Sequence, residues 1–291
     1  MMIFFETTIF WMTVFLTLQG VIFLGLSLYA WNDPRAAESD TKTSLPQTSF
    51  TAILPARHEQ EVIADTIRAI SQIDYPQQLT QTIIVCRNDD PETITAAQKT
   101  LDSLQRPDIQ LVIFSDFPIN KPHGLNIALP HARNDVVVIF DAEDEPHPQI
   151  YQKANHIFAS QPTDILQAGV QLVNYQTYWF SPLNVLEYFF WFKSILHVFA
   201  KWGVIPLGGN TVFFRREVLE QLGGWDEQCL TEDADIGIRA SCLGAITRVY
   251  YHEQFATREE TPHTIKDFIK QRSRWNQGYI QILLRGRWLQ L

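Results

Sequence analysis

The chain has 291 residues, of which 46% are hydrophobic and 19% are charged, and its formal net charge at pH 7 is -9. This composition is typical of a folded globular protein and excludes a largely disordered chain. A protein that binds a nucleic-acid polymer needs a basic surface, so the negative charge argues against nucleic acid as a partner. The cysteines, Cys86, Cys229 and Cys242, have neither zinc-site spacing nor a paired framework, which favours a reducing compartment.

An uncharged run occupies residues 9–31, after Glu6. It is long enough to cross a hydrocarbon layer of roughly 30 Å, so it predicts a transmembrane anchor over residues 1–32. The alternative is a cleaved signal peptide, which usually begins with basic residues that this N-terminus lacks. Arg35 and Lys42 follow the run, and this charge bias predicts a single-pass protein of the inner membrane with its catalytic domain in the cytoplasm.

Short apolar runs alternate with helical patterns from residue 50 onward, which predicts an α/β fold with a mostly parallel sheet and flanking helices. We expect a linker at 33–48, a main domain at 49–260 and a C-terminal helix within 261–291. The predicted strands lie at 50–55, 81–86, 109–114 and 135–140, and the predicted helices lie near 60–72, 92–104 and 122–132. In open sheets of this type, ligands bind beyond the carboxyl ends of the strands.

Three carboxylates, Asp141, Glu143 and Asp144, directly follow the fourth predicted strand. Carboxylates crowded at a strand end repel one another unless a cation lies between them, and a hard divalent ion meets this need. In extended backbone Asp141 and Glu143 point to the same side, which favours Glu143 over Asp144 as the second metal ligand. The alternative is that Asp144 caps a helix that begins near Pro146 and that the other acids are solvated.

A second acidic segment, with Thr231, Glu232, Asp233 and Asp235, opens an amphipathic pattern. A threonine followed by acids is typical of any helix start, because acids stabilise the positive end of the helix dipole. Asp233 also has a catalytic interpretation. Transfer to a hydroxyl needs one carboxylate that accepts the proton and that lies apart from the metal cluster.

Near the C-terminus, Gln271, Arg274 and Trp275 are spaced so that they share one face of a helix. An amide, a guanidinium and an indole together suit a phosphate with a sugar stacked beside it. The competing interpretation is an amphipathic helix on the membrane surface, which Arg285 and Arg287 support. Both interpretations can hold for one helix.

The segment 178–207 is rich in aromatic residues and holds one acid and two lysines. One interpretation is a core helix. The other is a segment that lies in the membrane interface and presents a lipid-linked acceptor. Glu187, Lys193 and His197 interrupt its centre, so it does not predict a second membrane span.

These segments follow one another in an order that resembles the inverting family-2 glycosyltransferases, in the membrane-bound branch related to cellulose and poly-N-acetylglucosamine synthases. The resemblance covers residues 50–285. The matching segments are Pro55-Ala-Arg57-His-Glu59, Lys121-Pro-His-Gly-Leu-Asn126, Phe140-Asp-Ala-Glu-Asp144, Gly208-Gly-Asn210, Phe214-Arg-Arg216, Gly223-Gly-Trp-Asp226, Thr231-Glu-Asp233 and Gln271-x-x-Arg274-Trp275.

The resemblance implies a GT-A-type fold, a nucleotide-diphospho-sugar donor that is usually a UDP-sugar, and Mg²⁺ or Mn²⁺ as cofactor. It implies that Asp141 and Glu143 hold the metal, with Asp144 as the alternative, and that Asp233 is the base. The residues that it assigns to the donor and its diphosphate are Pro55, Arg57, Glu59, Asp90, Lys121, Asp141, Gln271, Arg274 and Trp275.

The chain departs from the family pattern at three places. The family commonly has Asp where Glu143 stands, and it usually has an Asp-Asp pair directly after the second strand. Here Asp89 and Asp90 come two residues later, so either could contact the nucleotide, and we prefer Asp90. Relatives continue into further membrane helices where this chain stops at Leu291, so we expect a processive synthase only if the chain is a fragment or works with a partner membrane subunit.

The sequence therefore predicts a metal-dependent, inverting transfer of a sugar to a hydroxyl of a lipid or a growing glycan. The alternative is a catalytically silent subunit of a cell-envelope assembly complex, against which the full set of motif carboxylates argues. A glycoside hydrolase with two carboxylates explains neither the metal cluster nor the phosphate-type clamp.

Overall fold

The computed structural model describes residues 2–30 and 44–291. Most of the predicted linker lies outside these residues. Its last part is docked on the domain, since the Asn155 side chain accepts hydrogen bonds from the backbone of Gln47 (3.2 Å) and Thr48 (3.1 Å). Residues 44–48 therefore belong structurally to the folded domain.

The N-terminal helix α1 (Met2–Leu28) covers residues 9–28 of the predicted span. Its segment Phe5–Leu28 has a mean hydropathy of 2.0 and is not buried within the protein, so by length and composition it is a candidate membrane span. The end of the helix is fastened to the domain. Ser194 Oγ donates to Leu26 O (2.7 Å) and accepts from Ala30 N (2.9 Å).

Within the described residues, nine strands form a large sheet and a small one. They are β1 (Phe50–Ala56), β2 (Thr80–Arg87), β3 (Ile109–Phe114), β4 (Val136–Ile139), β5 (Ile165–Ala168), β6 (Val170–Leu172), β7 (Val212–Arg215), β8 (Thr247–Tyr250) and β9 (Thr257–Glu259). The large sheet has the order β3-β2-β1-β4-β7-β5-β8, and β6 pairs with β9 in the small sheet. Within the large sheet β7 alone is antiparallel to its neighbours, which confirms the predicted mostly parallel sheet and the four predicted strands.

Nine further helices flank the sheets in the described part of the chain. They are α2 (Ile63–Ser71), α3 (Pro91–Leu104), α4 (Lys121–Ala128), α5 (Ile150–Ser160), α6 (Ser181–Phe190), α7 (Leu196–Trp202), α8 (Arg216–Leu222), α9 (Glu232–Cys242) and α10 (Ile265–Arg285). A π-helical turn, Trp191–Ile195, joins α6 to α7. The three predicted helices correspond to α2, α3 and α4.

Two hydrophobic cores lie on opposite faces of the large sheet. Val136 and Val138 of β4 belong to one core, and Val137 and Ile139 belong to the other. Both faces of this strand are buried, which explains why its sequence is continuously apolar rather than alternating.

In the large sheet, β2 pairs with one edge of β1 and β4 pairs with its other edge. The order of the strands thus reverses next to β1, and a crevice forms there at the carboxyl ends of the strands. The segments 55–59 and 141–145 follow β1 and β4 and border this crevice. Glu145 also pairs with Arg258 through two backbone hydrogen bonds of 3.0 Å, which ties the acidic segment to β9.

The C-terminal helix α10 packs closely on the loop before α9. A Cβ atom at Gly278 would lie 2.3 Å from Thr231 Oγ1, so only glycine allows this approach. At its end, Arg285 Nη1 lies 2.6 Å from Asp226 Oδ2, and beyond it Arg287 Nη1 lies 3.1 Å from Asp235 Oδ1. These two arginines, which the sequence offered as membrane-surface residues, therefore pair with acids of the domain.

Removing Asp235 should destabilise the domain. Asp235 is buried and accepts from Arg239 Nε (2.7 Å) as well as from Arg287. Asp235→Ala therefore leaves the largely buried Arg239 guanidinium without its carboxylate partner, whereas Arg287 keeps Asp226 (3.0 Å). We expect a loss of about 3 kcal/mol of unfolding free energy. Thermal unfolding in detergent, followed by circular dichroism, measures the change.

The matched control is Glu220→Ala, which removes a carboxylate from the exposed Glu220–Arg216 pair on α8. Exposed helical pairs contribute only about 0.3–0.5 kcal/mol, so this variant should unfold close to the wild-type temperature. Equal effects of the two variants would show that the Asp235 network adds no more than a surface ion pair.

Candidate active site

A cleft of about 430 Å³ lies at the crevice between β1 and β4. Several parts of the chain that are distant in sequence contribute to its walls, among them the ends of β1 and β4, the start of α4, residues 209–210, the start of α9 and one face of α10. The predicted site residues that line it are Pro55, Arg57, Glu59, Lys121, Asp141, Glu143, Asp233, Gln271, Arg274 and Trp275. The structure thus brings these ten residues together.

Asp90, in contrast, does not line the cleft. It precedes α3 as its N-cap, accepting from Thr93 N (3.3 Å), and it accepts from His58 N (2.6 Å). Burial alone would raise the pKa of Asp90, but these hydrogen bonds outweigh it and hold the pKa below its usual value. Asp89 contacts two cleft-lining arginines, Arg57 (3.3 Å) and Arg87. Either acid could therefore act on the nucleotide only from outside the cleft wall.

The strand-end acids separate, but through a turn and not through the alternation of extended backbone: residues 142 and 143 form a turn in which Asp144 N donates to Asp141 O (3.1 Å). Asp141 and Glu143 line the cleft. Asp144 is 1% exposed, and its carboxylate accepts from Asp141 N (2.8 Å) and from Asn210 Nδ2 (2.8 Å). Burial, and then the neighbouring Asp141, raise the pKa of Asp144. Its oxygens are thus engaged in holding the loop.

The ammonium of Lys121 lies in the middle of the cleft. Lys121 is the first residue of α4, whose N-cap Asn120 accepts from His123 N (3.0 Å). Its Nζ contacts Asp141 Oδ1, donates to Gly209 O (3.0 Å) and lies 4.0 Å from Glu232 Oε1. Burial would lower the pKa of Lys121, but the carboxylates of Asp141 and Glu232 outweigh it and raise the pKa.

Asp233 lies at the start of α9, directly beside Gly209 in the wall of the cleft. A Cβ atom on Gly209 would lie 3.0 Å from Asp233 Oδ2, so the glycine leaves room for this carboxylate. Burial raises the pKa of Asp233, although the nearby Lys121 and Arg274 act in the opposite direction. The result is a carboxylate that accepts a proton more readily than a solvated one.

Glu232 and Tyr188 line the cleft as well, and sequence reasoning did not assign either to the site. Glu232 is buried, and burial, followed by repulsion from Asp233, raises its pKa to about 7. An acid in the first turn of a helix is favourable for any helix, so the sequence carried no signal that separated Glu232 from a solvated residue. Tyr188 belongs to the aromatic segment, and its ring centroid lies 6.3 Å from that of Trp275.

The face of α10 that carries the predicted clamp closes one side of the cleft. Arg272, on the neighbouring face, fixes this arrangement: its guanidinium lies 4.1 Å from the centroid of the Trp275 ring and 2.6 Å from Glu187 Oε2 on α6. Arg272 thus acts through packing, while Gln271 and Arg274 remain at the cleft wall.

A second cavity, the side groove, has a volume of about 1040 Å³ and adjoins the cleft. The residues that line both are Glu59, Glu143, Glu259, Gln271 and Arg274. The groove therefore opens into the cleft beside the clamp and the acidic segment, which provides space for a second substrate.

Negative charge accumulates where the two cavities meet. Burial, then Glu143 and Asp141, raise the pKa of Glu59 to about 7. Burial and repulsion by neighbouring acids also raise the pKa of Glu259. Among residues 2–30 and 44–291, no three His, Cys, Asp or Glu side chains form a ready-made metal cluster. Two carboxylates with excess negative charge around them suit an ion such as Mg²⁺, which takes most of its ligands from water and substrate phosphates.

Residues 46–278 match the family described as glycosyltransferase like family 2. The chain belongs to this family. The match includes α10 as far as Gly278, so the clamp residues are part of the family domain. The resemblance inferred from the motifs is thereby confirmed at the level of the family, and so is the assignment to a glycosyltransferase class of enzyme.

Two relatives illustrate the range of the match. A probable glycosyltransferase, YdaM, of Bacillus subtilis is 26% identical over 257 residues, covering 83% of this chain and 57% of the relative. A beta-monoglucosyldiacylglycerol synthase of Trichormus variabilis is 25% identical over 294 residues, covering 95% of this chain and 60% of the relative. The chain thus spans about 60% of the length of these relatives.

Solved structures share the fold. The mannosyltransferase PcManGT of Pyrobaculum calidifontis, in complex with GDP-Man and Mn2+, superposes with a TM-score of 0.68 at 21% identity, covering 92% of this chain and 73% of that one. TarS of S. aureus in complex with UDP-GlcNAc gives a TM-score of 0.57 at 15% identity, covering 74% of this chain and 59% of that one. The expected GT-A-type architecture is confirmed.

The raised pKa values predict a pH dependence of stability. Glu59 and Glu232 both have a pKa of about 7 in the folded protein, against 4.5 for an ordinary glutamate. Each therefore binds its proton more tightly when folded, and the stability that this provides is lost as pH rises from about 5 to about 8. We expect the unfolding temperature to fall over this window. Glu59→Gln, which cannot ionise, should reduce the fall.

Unfolding temperatures at several pH values, measured without divalent ions, test this. Glu253→Gln is the matched control, because Glu253 is exposed and lines neither cavity. An equal fall with pH in wild type and Glu59→Gln would show that Glu59 does not titrate in this window.

Proposed function

We propose that this chain transfers a sugar from a nucleotide-diphospho-sugar, with a UDP-sugar as the expected donor, to a hydroxyl of a lipid or a growing glycan. The transfer depends on Mg²⁺ or Mn²⁺ and inverts the anomeric carbon. The observation that carries the proposal is the single cleft in which Asp141, Glu143, Lys121, Asp233 and Arg274 meet. The activities of two similar proteins, a beta-monoglucosyldiacylglycerol synthase and a mannosyltransferase bound to GDP-Man and Mn2+, support it.

In this proposal Asp141 and Glu143 hold the ion. Glu143 is preferred to Asp144 because the oxygens of Asp144 already accept two hydrogen bonds. The ion, when bound, supplies positive charge that stabilises the leaving diphosphate. Lys121 and Arg274 add positive charge from the protein at the same place.

The donor-side wall comprises Pro55, Arg57 and Glu59 after β1. The guanidinium of Arg57 is exposed and paired with Asp89, so it can reach a bound nucleotide. Asp90 supports this wall from behind through its hydrogen bond to His58 N. Its contribution to nucleotide binding is thus to position the 55–59 segment.

Asp233 is the proposed general base. It lies beside Gly209, and Lys121 and Arg274 are close enough to act on its carboxylate. It accepts the proton of the acceptor hydroxyl while that oxygen attacks the anomeric carbon from the face opposite the diphosphate. One in-line displacement of this kind inverts the configuration and needs no covalent sugar-enzyme species.

The acceptor is proposed to reach Asp233 through the side groove and over the clamp. Trp275, supported by Tyr188 and Arg272, offers an aromatic face for a sugar or a lipid headgroup. In this proposal the candidate span α1 anchors the domain to a membrane, and the basic residues after the span, Arg35 and Lys42, support a cytoplasmic orientation.

A panel of nucleotide sugars tests the proposal. Purified protein is incubated with each donor, with and without Mn²⁺, and nucleotide release is measured in the presence of neutral lipid or oligosaccharide acceptors. We expect release from at least one donor, stimulated by the ion. Binding of nucleotide sugars without any release would instead favour a catalytically silent subunit.

Asp233→Asn should separate binding from chemistry. The amide keeps the size of the side chain but cannot accept the proton, so transfer should fall by at least the roughly 10²-fold typical of a general base. Donor and Mn²⁺ affinity should stay near wild type. Transfer rates and donor affinity, measured by calorimetry, provide the comparison, and near wild-type transfer would return Asp233 to the role of a helix-start acid.

Arg274→Lys tests the clamp. Lysine keeps the charge but cannot make the planar, two-pronged contact of a guanidinium with a diphosphate, so we expect a loss of roughly tenfold or more in transfer rate. The control is Arg216→Lys, on the exposed face of α8. Transfer rates in detergent that are unchanged in Arg274→Lys would leave only a charge or membrane-surface role for this residue.

A further inference from the structure

The position of Lys121 has a consequence for the order in which ligands bind. Its ammonium contacts Oδ1 of Asp141, the first of the two proposed metal ligands. The lysine side chain is 26% exposed and that of Asp141 is 34% exposed, so solvent screens this ion pair only in part. In the absence of other ligands, Lys121 is therefore the counter-ion of the metal carboxylate.

Two groups besides Asp141 also lie close to the Lys121 ammonium. Gly209 O accepts from Nζ at 3.0 Å, and Glu232 Oε1 lies 4.0 Å away. Gly209 has no side chain that could shield Lys121, and a Cβ there would lie 3.8 Å from Nζ. The lysine is thus kept close to Asp141 by the shape of the cleft and not by an ion pair alone.

A divalent ion that binds Asp141 has to compete with this ammonium. In the nucleotide-free cleft the ion and the ammonium would share the Asp141 carboxylate, and the repulsion between these two positive groups opposes ion binding even though Glu143 offers a second ligand. A nucleotide diphosphate changes the balance, because its phosphate oxygens can pair with both the ammonium and the ion.

We propose that Lys121 couples the binding of the divalent ion to the binding of the nucleotide diphosphate. The ammonium stays paired with the Asp141 carboxylate until a diphosphate binds. The ion binds tightly only together with the donor. This inference rests on the proposed function, since it takes the ion and the diphosphate as ligands of the cleft. It adds to Lys121 a role beyond contact with the diphosphate, namely the suppression of metal binding in the empty cleft.

The coupling is reciprocal, so UDP raises the affinity for the ion by the same factor by which the ion raises the affinity for UDP. Couplings of this kind typically amount to roughly 5- to 150-fold. A lysine that merely contacts the diphosphate has a different signature. Its removal weakens UDP binding and leaves the affinity of the nucleotide-free protein for the ion unchanged.

The experiment is a Mn²⁺ titration of the full chain in detergent, with free Mn²⁺ measured by electron paramagnetic resonance, with and without UDP. Lys121→Met removes the charge and retains a flexible chain of similar length. We expect Mn²⁺ to bind the nucleotide-free variant roughly tenfold more tightly than wild type, and the effect of UDP on Mn²⁺ affinity to shrink correspondingly. The readout needs no turnover.

Two further variants make the result specific. Lys99→Met changes the net charge equally at an exposed position on α3 that lines neither cavity, and it should leave Mn²⁺ binding unchanged. Lys121→Arg keeps the charge and should keep the weak nucleotide-free binding. It also provides a folded comparison, by circular dichroism, if Lys121→Met unfolds.

Mn²⁺ affinity in nucleotide-free Lys121→Met that equals or falls below wild type overturns the coupling role and leaves the proposed transfer intact. If Lys121→Met does not fold, tight nucleotide-free binding by Lys121→Arg overturns it instead. Failure of wild type to bind Mn²⁺ even with UDP is a different outcome, because it removes the metal-dependent transfer itself.

Discussion

An excess of negative charge at one edge of the sheet is the constraint on which the candidate site depends. The ends of β1 and β4, the start of α9 and β9 all direct carboxylates toward the same space, and within the described residues Lys121 is the basic side chain placed in contact with the strand-end acid. Desolvation and mutual repulsion raise the pKa of Glu59, Glu143 and Glu259. A fold does not retain such crowding for stability. It indicates a site whose missing positive charge arrives with a ligand.

Sequence reasoning recovered the parts of the fold that depend on local pattern. The separation of Asp144 from Asp141 and Glu143 was expected from alternation along extended backbone, but a turn closed by Asp144 N donating to Asp141 O produces it. β4 was predictable because a strand buried on both faces has a continuous apolar sequence. The clamp on α10 followed from helical spacing in the same way. Each of these inferences depends only on residues that lie a few positions apart in the sequence.

What was not predictable depends on contacts between distant segments. In the sequence Glu232 looks like any acid in the first turn of a helix. The structure places Nζ of Lys121, a residue 111 positions earlier, 4.0 Å from its carboxylate. Arg285 and Arg287 look like membrane-surface residues until Asp226 and Asp235 are seen to face them. Asp90 accepts hydrogen bonds from His58 N and Thr93 N, a long-range contact and a capping contact that the pattern of acids did not show, and its contact with the nucleotide stays a prediction.

The hydrogen bonds of Ser194 to the end of α1 fix the distance between that helix and the cleft. Ser194 and Tyr188 belong to one helical run, six residues or roughly 9 Å apart along its axis. If α1 spans the bilayer, this joint holds the cleft at a constant height above the membrane instead of letting it move on a flexible linker. A membrane-bound acceptor then meets the cleft at a high effective concentration over a narrow range of depths. Acceptors with headgroups of the matching length would be selected by geometry, without any contact that reads their chemistry.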